Sequence, residues 1–151
     1  MAHFKTTIDT PTSVEIAFDY LADFSNARFW DPTVSSARRL SSGPIEEGSR
    51  FEVFLRSPRQ PIRFEYRILR FARARFVQLE ATSQAFRSLD TIEVEARSRG
   101  GARVRYDADL RPQGLFYLFD LPIHLAFQVS GRFSERGLAR SLDQLPASAN
   151  N

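Results

Sequence analysis

LFYLFDLPIHLAFQVSGRFSERGLARSLDQL, residues 115–145, reads as one long C-terminal helix for which the rest of the chain supplies a sheet. At about 100° per residue, Phe116, Ile123, Phe127, Leu138, Leu142 and Leu145 gather on one side with the small residues Ser134 and Ser141, which makes a core-facing stripe. The opposite side changes character along its length. It carries Leu118, Leu121, Leu125 and Val129 in the first half, then Arg132, Arg136 and Arg140. The first half therefore has to bury both faces and the second half only one, as a helix clasped by a sheet and bordered by a cavity or a covering segment would do. Pro122 removes a backbone donor within the apolar half, so the helix either starts near Asp120 or kinks there.

Upstream, residues 3–9 alternate Phe4, Thr6 and Ile8 with Lys5, Thr7 and Asp9, the period-2 pattern of a half-buried strand. Thr12 followed by Glu15 has the form of a capping box, and Val14, Ala17, Phe18 and Leu21 then share a helical face, predicting a helix over residues 13–22. Ser25 or Asn26 can cap a second short helix, ended by Asp31-Pro32 because the residue before proline avoids helical backbone.

From Thr33 the pattern is β for about 75 residues, in alternating runs at 33–40, 50–56, 62–68, 75–82, 88–97 and 104–110, punctuated by turn residues such as Ser41-Ser42-Gly43-Pro44 and Gly100-Gly101. Short connections between successive strands mean an antiparallel meander, apolar on one face and charged on the other. Residues 1–146 read as one domain, followed by a polar tail over 147–151.

Composition narrows the function classes. The 151 residues carry a formal charge of +3, but Lys5 is the only lysine and the arginines are interleaved with Glu and Asp. Nucleic-acid binding needs a continuous basic footprint, so that class is disfavoured. With no cysteine there is no disulfide or thiolate chemistry, and two histidines without a ligand-spaced cluster argue against a metal. No run of 18 apolar residues suggests stable membrane insertion, and the start of the chain lacks a signal-peptide pattern, which together with the cysteine count fits a cytoplasmic location. Aromatics make up 13% of residues, 14 of them Phe, so the interior is expected to be wide enough to line a pocket.

The order strand, two helices, six strands, long helix, with Tyr20-Leu21-Ala22-Asp23-Phe24-Ser25-Asn26-Ala27-Arg28-Phe29-Trp30-Asp31-Pro32, resembles the START-like (SRPBCC) superfamily, in particular its polyketide cyclase/dehydrase group. The Gly43-Pro44 to Glu47-Gly48-Ser49-Arg50-Phe51 stretch and the Leu138, Leu142, Leu145 ending carry the same likeness. The resemblance implies an α+β helix-grip (START/Bet v 1-like) fold. There, a curved antiparallel sheet of about seven strands wraps the long C-terminal helix, two short helices follow the first strand, and a hydrophobic cavity lies between sheet and helix. Members bind lipids, sterols, polyketides, plant hormones or quinones, and no universal catalytic motif or cofactor travels with the fold.

Strand parity then selects residues. Trp30, Phe51, Phe64, Tyr66, Val94, Tyr106, Phe116, Ile123 and Phe127 are the expected cavity walls, Tyr66 and Tyr106 bringing hydroxyls. Ser88 and Asp90 share the parity of Ile92 and Val94, and a buried Asp90 would need a partner, for which Arg38 has the right parity. Asp90, Tyr106 and His124 are the candidates for moving a proton, each with a bland alternative as a salt-bridged, packed or surface residue. Gly131 and Gly137 are read as sites of close approach to the sheet. Three functions follow: a binder of a small hydrophobic molecule such as a lipid, polyketide or quinone; a cofactor-free cyclase or dehydratase-like enzyme; or a delivery or chaperone-like partner. The apolar helix face could also dock a second copy.

Overall fold

A computed structural model describes residues 2–115 and 134–148. Seven strands form one sheet: β1 (Ala2–Thr10), β2 (Val34–Arg39), β3 (Arg50–Leu55), β4 (Ile62–Ala72), β5 (Phe76–Thr82), β6 (Phe86–Ala96) and β7 (Ala102–Pro112). The spatial order is β1-β7-β6-β5-β4-β3-β2 and every pairing is antiparallel. Strands β2 to β7 are the expected meander, and β1 closes on β7 through the register Phe4↔Ala108, Thr6↔Tyr106 and Ile8↔Val104. The alternating burial of β1, with its even-numbered residues inside, follows from that pairing. The molecule is thus an α+β helix-grip architecture with a curled antiparallel sheet.

Helix α1 (Val14–Ala22) and α2 (Ala27–Trp30) flank a 3-10 turn at Phe24–Asn26. Ser13 rather than Thr12 caps α1, its hydroxyl accepting from the Ile16 amide at 3.4 Å. Thr12 is buried and donates instead to the Leu142 carbonyl at 2.7 Å, which fastens the C-terminal helix to the β1–α1 link. Asp23 caps the 3-10 turn, accepting from the Ser25 amide at 3.1 Å, and Asn26, one of the two residues expected to cap the second helix, holds the N-cap position of α2 without a side-chain cap bond.

The C-terminal helix, α3, is described as helix over residues 134–143 only. Its expected beginning at Leu115 is corrected: Leu115 lies in a tight turn with Gly114 and is 82% exposed. The apolar half of the quoted stretch, with its Pro122 kink, falls on residues 116–133, outside the described residues. Within α3, Leu138 and Leu142 are buried as the stripe required, and Arg136 and Arg140 face outward. Gly137 faces α2 rather than the sheet. A Cβ there would overlap the Trp30 carbonyl group, its oxygen above all, so only glycine lets the two backbones meet. Ser141 Oγ donates to the Phe29 carbonyl at 3.3 Å, and the Ser13 amide donates to the Ala147 carbonyl at 3.0 Å.

Two register shifts change which side chains reach the interior. In β2 a shift between Val34 and Ser36 leaves Val34 and Ala37 buried and turns Arg38 outward. Arg38 therefore pairs with Glu52 at 2.7 Å on the outer face and is not the partner of Asp90. Unbroken alternation had placed Arg38 inside. A bulge adds one residue and inverts every parity after it. In β4 the shift between Ile68 and Arg70 exposes Leu69 and brings Phe71 onto Phe18, with ring centroids 5.4 Å apart. The outer face is a lattice of ion pairs such as Arg50–Glu65 and Arg103–Asp9, with Glu52 clamped between Arg38 and Arg63.

Candidate functional site

Among the described residues, α1 and α3 fill one end of the sheet and not the other. There the inner faces of β1, β3, β4, β6 and β7 stand off from the 3-10 turn and α2 and enclose a cavity of about 330 Å³. Its walls are mainly apolar: Phe4, Phe24, Ala27, Trp30, Val53, Phe64 and Ala108, with Leu55, Ile62, Phe86 and Leu110 toward the more exposed end. Edge-on aromatic packing sets the shape. Trp30 meets Phe24 and Tyr106, each at a centroid distance of 5.9 Å, and Phe24 lies 4.5 Å from Tyr66.

The polar groups divide between the two ends. At the buried end, Ser88 and Asp90 stand two apart on β6 and so share its inner face. Tyr106 on β7 is paired with Ile92, one inner position further along, and its hydroxyl reaches back to donate to Asp90 Oδ2 at 2.5 Å. Ser88 Oγ donates to Asp90 Oδ1, also at 2.5 Å. At the exposed end lie Asp31, whose Oδ1 accepts from the Thr33 amide at 2.8 Å and hydroxyl at 2.7 Å, and Arg56, whose Nε donates to the Pro32 carbonyl at 3.1 Å. Ser134 of α3 also lines the cavity.

Burial dominates the electrostatics of the deep end. Desolvation pushes the Asp90 carboxyl up to about 6 against the pull of its two hydroxyl donors, and the charges of Asp31 and Asp107 push the same way. The Tyr66 and Tyr106 phenols are driven well above their ordinary range, by burial first and then by the Asp90 charge, so both stay protonated. Tyr106 donates its proton to Asp90. The Tyr66 hydroxyl has no hydrogen-bond partner among the described residues and lines the cavity. The site thus holds a carboxyl able to change protonation near neutrality, a phenol bound to it, and a second phenol without a partner in the described chain.

Of the residues singled out in the sequence, the structure brings Trp30, Phe64, Tyr66, Tyr106, Ser88 and Asp90 to one cavity. Phe51 and Val94 share the inner parity but are not among its walls. Phe51 is fully buried in packed core, and Val94 borders a separate depression beside Val14 and Arg75. Parity decides the face of a strand but not the position along it. Phe116, Ile123, His124 and Phe127 lie outside the described residues. Phe29 points out, 60% exposed under the Arg28 guanidinium.

Sequence reasoning missed Phe4, Phe24, Asp31, Thr33, Arg56 and Phe86 as lining residues. Phe4 and Phe86 carried a signal, since they have the parity of Ile8 and of Ser88. Asp31 was read only as the end of a helix. Among the described residues there is no cluster of three or more His, Cys, Asp or Glu placed to hold a metal, and no helix long and apolar enough to cross a membrane.

Known structures share this fold. The Zhui aromatase/cyclase from Streptomyces sp. R1128 superposes with a TM-score of 0.73 at 10% identity, over 94% of this chain and 93% of its own. A START superfamily protein from Mycobacterium smegmatis gives 0.72 at 12% identity, over 97% of this chain and 100% of its own. The TTHA0849 protein from Thermus thermophilus gives 0.71 at 14% identity, over 93% and 95%. At such identities the likeness is one of fold. No curated protein matches the chain in sequence. A family model does, across residues 1–148, and with the sheet, the helices and the cavity in agreement, the chain belongs to the polyketide cyclase / dehydrase and lipid transport family.

Proposed function

We propose that the chain binds a small, mainly apolar molecule in the cavity between the sheet and α2. The observation that carries this reading is an apolar-walled void of about 330 Å³ with a hydrogen-bonded acid–phenol pair at its buried end. Closed cores do not leave such voids, because lost contacts and lost burial both disfavour them. The volume sits at the small end of ligand sites, which suits roughly two or three fused rings better than a long-chain lipid. The family description covers both cyclase or dehydrase activity and lipid transport, and either one requires an apolar guest.

The chain carries its own reporter, since its single tryptophan, Trp30, forms part of the wall. Titration with 2-methylanthraquinone, which fits by size and quenches indole emission, should quench Trp30 saturably at one ligand per chain. An unsaturable response, or emission characteristic of a water-exposed indole, would overturn the reading.

A second reading, proton transfer of the cyclase or dehydratase kind, is favoured by one feature: Asp90 combines burial, a pKa of about 6 and a hydrogen bond from Tyr106. An enzyme of this sort would lose turnover on a polyketide-like substrate in both Asp90→Asn and Tyr106→Phe while retaining binding. Equal turnover in the variants would rule it out.

A further inference from the structure

The polar groups of the cavity are unequal in sign, and this restricts what can enter. Among the described residues two carboxylates line it, Asp90 at the buried end and Asp31 toward the exposed end. The cation in the described lining, Arg56, is exposed at the opening and already donates Nε to the Pro32 carbonyl. Around Asp90 the facing groups are Ser88 on its own strand, Tyr106 from β7, Tyr66 from β4 and Asp31 beyond α2, with Asp107 acting from the outer face of β7. None of these is a cation. Each Asp90 oxygen accepts one hydroxyl, and a carboxylate oxygen has room for a second donor.

We infer that the cavity selects apolar ligands that bring a hydrogen-bond donor, a hydroxyl or an amine, to its buried end, and that it turns carboxylates away. The inference rests on the binding reading above and deepens it. A ligand carboxylate at the buried end would face Asp90 with no intervening cation among the described residues, in surroundings where like charges are poorly screened. A ligand hydroxyl there donates to Asp90 and accepts from Tyr66, so both protein groups and the ligand oxygen are satisfied. Free fatty acids and other apolar acids are therefore disfavoured guests, and ring systems carrying alcohol, phenol or amine groups are favoured ones.

Three ligands of nearly equal size separate the possibilities: 2-methylanthraquinone, 2-(hydroxymethyl)anthraquinone and anthraquinone-2-carboxylate, each followed by quenching of Trp30. At pH 7.5 the hydroxymethyl compound should bind about tenfold more tightly than the methyl compound, and the carboxylate about tenfold more weakly. At pH 5 Asp90 is protonated and can itself donate, so the gap between alcohol and carboxylate should close by about tenfold in the unmodified protein. Asp90→Asn should remove that pH dependence. Binding of all three within threefold at pH 7.5, or a ranking indifferent to pH, would overturn the selectivity and leave the binding reading intact. Failure of 2-methylanthraquinone itself to bind would overturn the binding reading and the selectivity with it.

Discussion

Asp90 shows what one side chain can cost and supply. Its folded pKa of about 6 exceeds the ordinary 3.8, so the folded chain holds that proton more tightly than the unfolded chain. Stability from this group is therefore greatest below 3.8, falls as pH rises through the window from 3.8 to about 6, and is level above it. A difference of that size amounts to about 3 kcal/mol. Asp90→Asn, which keeps shape and can still bond Ser88 and Tyr106, should be more stable than the parent at pH 7.5 by about 1–3 kcal/mol and lose that advantage near pH 4. Denaturant unfolding at the two pH values measures this, and a destabilised variant at pH 7.5 would contradict it.

Gly137 is the second decisive residue. Alanine would improve the helix propensity of α3 by up to about 1 kcal/mol, yet its Cβ would collide with the Trp30 carbonyl oxygen. The clash wins because the group it meets is backbone and cannot swing away. Gly137→Ala is expected to destabilise by about 1–3 kcal/mol and, because α2 must retreat, to shift Trp30 emission. A stabilised variant with unchanged emission would show that α2 and α3 do not approach so closely.

At the scale of elements, β2 carries the lesson. One bulge between Val34 and Ser36 moves Arg38 from the cavity side to the outer face, where it and Arg63 clamp Glu52. The hydrogen bonds from Arg63 and then Arg38 hold the Glu52 carboxyl below its usual 4.5. Stability from Glu52 is thus present above 4.5 and lost as pH falls through the lower folded value, the reverse of Asp90. Glu52→Gln should lower the thermal midpoint at pH 7.5 and match the parent once acid has protonated the folded-state carboxylate. A deficit that persists in acid would mean the glutamine disturbs packing rather than charge. The clamp also ties edge strand β2 to β3 and β4.

At the scale of the molecule, the cavity and the fold are coupled through binding. A guest that enters only the folded chain adds about 2.7 kcal/mol at a hundred times its Kd, which for a chain of this size corresponds to about 5–10 °C in Tm. Differential scanning with saturating 2-(hydroxymethyl)anthraquinone should show that rise, and no rise in the presence of Trp30 quenching would place the ligand outside the folded cavity.

Period-2 alternation, the turn residues and the Phe-rich composition were enough to read seven antiparallel strands, two short helices after β1 and an amphipathic C-terminal helix, because these depend on which neighbours a residue has along the chain. The same parity put Ser88, Asp90, Tyr66 and Tyr106 on one face. What alternation could not supply was anything dependent on a third element. The bulge that ejects Arg38, the partnership of Asp90 with Tyr106 one register position away, the absence of Phe51 and Val94 from the walls, and the meeting of Gly137 with Trp30 are set by how strands slide and helices dock. A local pattern specifies faces; where along a face a void survives is decided only when the packed elements have claimed the rest of it.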